Sequence, residues 1–80
     1  MTKIIPQYVT TDIILASTLR TKGVKLDQIK MVDKKRGAFY FNDVSEELLL
    51  QFDAQQLDVE PIAFNQMRVS LSTAIKRLQD

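Results

Sequence analysis

The strongest pattern in the chain lies near its end. Phe64, Met67, Leu71, Ile75 and Leu78 recur at steps of three and four, with Ala74 beside them, which puts them on one face of a helix. Pro61 suits a first helical position and holds Glu60 out of helical geometry. The pattern therefore predicts a helix over about residues 61–78. Its stripe is read as purely core-facing; the alternative is that Ile62, Val69 and other apolar positions off the stripe leave a second apolar strip exposed for dimerisation or a partner helix. An earlier helix is predicted over about residues 11–22 from Leu15, Ala16 and Leu19, with Ile13 or Ile14, at helical spacing. Thr10 or Thr11 is expected to cap it, Asp12 to sit in its first turn, and Gly23 to end it in left-handed geometry.

After Gly23 the period changes. Val24 and Leu26 alternate, and Ile29 and Met31 alternate in the opposite phase. One extra residue between Leu26 and Ile29, as in a β-bulge or short bend, accounts for the slip. The polar run Asp33-Lys34-Lys35-Arg36-Gly37 then reads as a turn, and Ala38-Phe39-Tyr40-Phe41 as a short aromatic strand. Together they predict a β-hairpin with strands over about residues 28–33 and 38–42. Asn42 to Ser45 opens a further helix over about residues 46–55, with Ser45 as its cap and Val44 and Leu49 as a hydrophobic staple. Leu48, Leu49 and Phe52 form its apolar face, and Leu57 to Glu60 is a short extended link. Residues 1–10 read as an arm or an edge strand, with residues 1–7 the looser part, because Pro6 is tolerated only at a sheet edge.

The predicted order is (β)αββαα. A lone hairpin is marginal, and its aromatic face needs a helical layer, so the fold class is two-layer α+β, a hairpin packed on three helices. Eighty residues make one domain. Repeats, low-complexity tracts and linkers are absent. The longest apolar run, Ile13 to Ala16, is far below the ~20 residues a membrane helix needs. The N-terminus lacks a signal-peptide core, so the chain is read as cytoplasmic, and as complete or nearly so.

Composition narrows the chemistry. There is no histidine and no cysteine, which removes the commonest general base, zinc motifs, thiol nucleophiles and disulfides. Two glycines, Gly23 and Gly37, are too few for a phosphate-cradling loop. Ser45 has no partner base, and the carboxylates lack the spacing of a calcium loop. The expectation is a protein that is not an enzyme and takes no cofactor, metal or small-molecule substrate.

Charge is the informative feature. Between Thr18 and Arg36 seven basic residues face two acidic ones, and between Gly37 and Gln66 there are six acids and no Lys or Arg. The basic hairpin residues Lys30, Lys34, Lys35 and Arg36 are the candidate contacts for an anion or nucleic acid. The acids Asp43, Glu46 and Glu47 are the candidates for a basic partner or a neighbouring copy. The plainer reading is a solvated tip and an ordinary acidic helix start, both serving solubility. Against nucleic acid stand a pI near 8.0 and the absence of a basic recognition helix.

The run Asp12-Ile13-Ile14-Leu15-Ala16-Ser17-Thr18-Leu19, Gly23, Phe39-Tyr40-Phe41, and Leu57-Asp58-Val59-Glu60-Pro61 followed by Phe64, Leu71 and Lys76 resemble a family of small uncharacterised domains from bacteria and their phages. The likeness runs from about residue 8 to 78. It implies a prokaryotic, phage or prophage origin and a compact α+β fold, and it carries no activity or site onto any residue here. The expected function is a non-enzymatic interaction or assembly module working through protein contacts or self-association. The alternative is a weak nucleic-acid binder using the basic hairpin.

Overall fold

The computed structural model describes residues 3–55 and 58–79. The order is β1 (Ile4–Thr10), α1 (Ile13–Thr21), β2 (Leu26–Met31), β3 (Gly37–Ser45), α2 (Glu46–Asp53) and α3 (Pro61–Gln79), the predicted α+β arrangement. The strands form one antiparallel sheet in the order β1-β3-β2. The N-terminal segment is thus an edge strand from Ile4 onward, not an arm. Leu57, part of the expected link, lies outside the described residues.

The central strand owes its place to Phe39, Phe41 and Val44, which are almost wholly buried. They share one hydrophobic cluster with Leu15, Ala16 and Leu19 of α1 and Leu71 of α3. Leu48, Leu49 and Phe52 of α2 pack against it. Since all three helices feed one cluster, they cover one face of the sheet. The molecule is correspondingly thin, with extents of 43 × 28 × 18 Å. On the open face the Lys30 ammonium stands 5.4 Å from the centre of the Tyr40 ring, a cation–π contact.

The expected bulge is present. The β2–β3 register shifts between Leu26 and Gln28, which leaves Asp27 as the extra residue and turns both Leu26 and Ile29 toward the core. A second irregularity was not foreseen. Pro6 and Asp43 fall opposite each other, and neither is paired in an otherwise continuous β1–β3 register. Pro6 has no N–H to offer, and Asp43 takes a left-handed φ of 55°. Both strands change phase there, so that Ile5 and Tyr8 on one, and Val44 and Phe41 on the other, face inward. For this reason β3 runs through Ser45 instead of ending at residue 42.

Helix ends follow local chemistry. Asp12, not Thr10 or Thr11, caps α1: its Oδ1 accepts from the N–H groups of Ile14 (2.8 Å) and Leu15 (3.3 Å). The Thr10 hydroxyl accepts from the Asp12 N–H. At the other end Gly23 has φ 89°, and the N–H groups of Gly23 and Val24 donate to the carbonyls of Arg20 and Leu19, a Schellman closure. Ser45 precedes α2 without a side-chain capping bond; the Glu46 N–H donates instead to the Lys3 carbonyl at 2.8 Å. Glu60 caps α3 through its carboxylate, which accepts from Ile62 and Ala63.

Along α3 the predicted stripe holds for Leu71, which is buried, and for Phe64, Met67, Ala74 and Ile75, which are half-buried. Leu78 is a correction, with 49% of its surface exposed. The helix outruns the apolar layer there, and its last turn faces the β2–β3 loop, where the Gln79 amide donates to the Lys34 carbonyl at 3.1 Å. Ile62 and Val69 are exposed, which is the alternative to the purely core-facing reading of this helix.

Candidate binding cleft at the basic pole

The β2–β3 loop, residues 32–36, is organised by one carboxylate. Asp33 Oδ1 accepts from the backbone N–H groups of Lys35 and Arg36, both at 2.8 Å, and its Oδ2 pairs with Arg36 Nε at 3.0 Å. The backbone bond from Lys35 and the bonds from Arg36 hold the Asp33 carboxyl below the usual range for an aspartate. The Val32 N–H donates to the Arg36 carbonyl and closes the loop. This internal bracing fixes where the basic side chains of the loop begin.

Antiparallel packing of α1 on α3 brings other groups to the same end. The Lys22 ammonium at the end of α1 donates to the Asp58 carbonyl just before α3. The start of α1 therefore lies beside the C-terminal half of α3, near Ser72 and Ile75. A cleft of about 320 Å³ opens where α1, β3 and α3 meet. Its apolar surface comes from Ile13, Phe39 and Ile75, and its polar surface from Thr11, Ser72, Gln79 and the three bases Lys35, Arg36 and Lys76. Gly37 forms part of the wall. A Cβ at this position would lie 2.0 Å from Ile75 Cδ1, so the missing side chain is what admits Ile75.

The candidate contacts separate. Lys35 and Arg36 enter the cleft, and Lys34 is pinned beside it through its carbonyl. Lys30 does not join them: it lies on the open face of the sheet over Tyr40, because residues 29 and 30 alternate across β2. The acids do not converge either. Asp43 shares a shallow cleft with Lys22 and Lys25, while Glu47 lines a different one with Ser45, Leu48 and Gln51. Glu46 sits in the first turn of α2, where its charge suits the helix dipole. No group of three His, Cys, Asp or Glu side chains that would hold a metal occurs among the described residues.

Lys76 was the site residue missed at the sequence level. Its position in the last turn of α3 is accounted for by the helix dipole alone. Only the packing of α1, β3 and α3 shows that it meets Lys35 across a cleft.

A three-stranded antiparallel sheet under three helices, with a cleft at one end, defines a small α+β domain. Residues 6–80 match the family described as "Domain of unknown function (DUF5659)", and the chain belongs to it. The chain matches no curated protein and no solved structure. No helix among the described residues is long and apolar enough to cross a membrane.

Proposed function

We propose that this domain is a non-enzymatic interaction module that binds an acidic segment of a partner protein at its basic pole. The observation that carries the reading is the gathering of Lys35, Arg36 and Lys76 from two separate elements around one cleft. Lys34 and Arg77 flank it in sequence, and Asp33 is the loop's own acid, engaged with Arg36. Bringing like charges together from distant parts of a chain costs repulsion that an anionic partner relieves. A protein is favoured over nucleic acid because Phe39 and Phe41 are core residues and the Tyr40 ring already carries Lys30. The stacking platforms that single strands use are thus occupied. The lack of cysteine suits work in a reducing cytoplasm.

The test is a titration with a polar acidic peptide of Asp, Glu and Ser, beside a neutral peptide and a single-stranded oligonucleotide of matched charge, at low and physiological salt. The acidic peptide is expected to bind, more weakly as salt rises, and to lose at least tenfold in affinity when Lys35 and Lys76 are both changed to Glu. Absence of acidic-peptide binding at low salt would overturn the proposal. Tighter binding of the oligonucleotide than of the peptide would replace the protein partner with nucleic acid.

A further inference from the structure

The cleft is more than a charged surface, because its floor is apolar. Ile13 and Ile75, both half-buried, form it over the almost wholly buried Phe39, and the missing side chain of Gly37 is what lets Ile75 close up against the start of β3. At about 320 Å³ it stands at the small end of ligand pockets, which run from ~300 to ~1,000 Å³. That space accommodates one large side chain, not an extended ligand. The rim is fixed before any partner arrives. Gln79 ties α3 to the Lys34 carbonyl, and Asp33 braces the loop through two backbone bonds.

The cations on the rim are not equivalent. Arg36 is engaged by Asp33 at 3.0 Å. Lys35 from the β2–β3 loop and Lys76 from α3 both line the cleft, and their ammonium groups form no ion pair among the described residues. A helix dipole explains why a base sits in the last turn of α3. It does not explain why a second base from a different element lines the same partly apolar depression. An apolar body carrying negative charge on both sides satisfies both features at once.

Building on the acidic-partner reading above, we infer that the cleft is an anchor pocket for one large aliphatic or aromatic side chain of the partner segment. Carboxylates flanking that side chain meet Lys35 and Lys76. The recognised motif is then acid–apolar–acid, with the apolar residue setting specificity and the acids setting approach and orientation.

Three peptides of equal net charge, carrying Ala, Leu or Phe at the centre of an otherwise Asp/Glu/Ser sequence, separate the possibilities when titrated by fluorescence anisotropy or NMR. The Leu or Phe peptide is expected to bind roughly tenfold or more tightly than the Ala peptide. Its shift perturbations should centre on Thr11, Ile13, Ser72 and Ile75. Ser72→Leu, which fills the cleft from a half-buried wall position, should abolish that gain. Equal binding of all three peptides to the unmodified protein overturns the anchor pocket and leaves the acidic-partner reading standing. Failure of all three to bind overturns both.

Discussion

Asp33 does more for the loop than any of the bases around it. Its carboxylate accepts three hydrogen bonds, from the N–H groups of Lys35 and Arg36 and from the Arg36 side chain. All three are stronger to the charged form, so the folded loop lowers this carboxyl, with the Lys35 backbone bond as the largest cause. A group lowered in the folded state lends its stability above its unfolded value and loses it as pH falls through the folded one. The window therefore lies on the acid side, from about pH 4 downward. Because Asp33 is exposed, the effect is local order, not global stability. In a pH titration followed by NMR, the Lys35 and Arg36 amides should titrate together below the ordinary aspartate range while core resonances hold. Titration of those amides at an unshifted aspartate value, or Asp33→Asn giving the same profile, would show that the carboxylate does not brace the loop.

At the scale of elements, α3 carries the core in its middle and the site at its end. Leu71 is its one fully buried side chain among the described residues, set against Phe39, Phe41 and the α1 residues. Leu71→Ala is expected to cost about 2–5 kcal/mol in a denaturant melt; a loss below about 1 kcal/mol would mean the site collapses around the gap or that this face bears little load. The stripe, the αL glycine ending α1, the bulge at Asp27 and the edge role of the Pro6 strand were all legible in the sequence, because each rests on spacing or on one residue's backbone limits. The extension of β3 through Ser45 was not. Alternation breaks at Asn42-Asp43, and only the matching break at Pro6 on the neighbouring strand shows that both shift phase together. The capping role of Asp12 was missed because two threonines just before it are equally good caps by type. The charge segregation was visible as a run of letters, but the cleft was not. Lys35 and Lys76 are far apart in sequence, and only antiparallel α1–α3 packing and the Gln79–Lys34 bond bring them to one place.

For the whole molecule, β3 sets the polarity. It runs from Gly37 beside the basic loop to Ser45 beside Glu46 and Glu47. At ~3.3 Å per residue this separates the two ends by about 26 Å, roughly three times the ~8 Å screening length at physiological salt. The two charge groups therefore act as independent surfaces. A partner at the cleft feels the bases with little cancellation from the acids, although the net charge of the chain is only +1.

The strand order has a consequence in time. β2 and β3 are joined by a short loop and meet as a hairpin, an event of about 1–10 microseconds. β1 must find the other side of β3 across all of α1 and β2, so its docking carries the larger loop-closure entropy and comes late. It is also held on one side only, and Pro6 interrupts its ladder. The same strand should be the first to leave. In native-state hydrogen exchange those of its amides that bond to β3 should open at lower free energy than those of β3 that bond to β2. Equal protection on both sides of β3 would show that the sheet opens as one unit. Departure of β1 bares a full-length edge of β3, which a second molecule's β1 fits as well as its own. The hazard built into this topology is exchange of N-terminal strands between copies, favoured by whatever loosens the Pro6–Asp43 step.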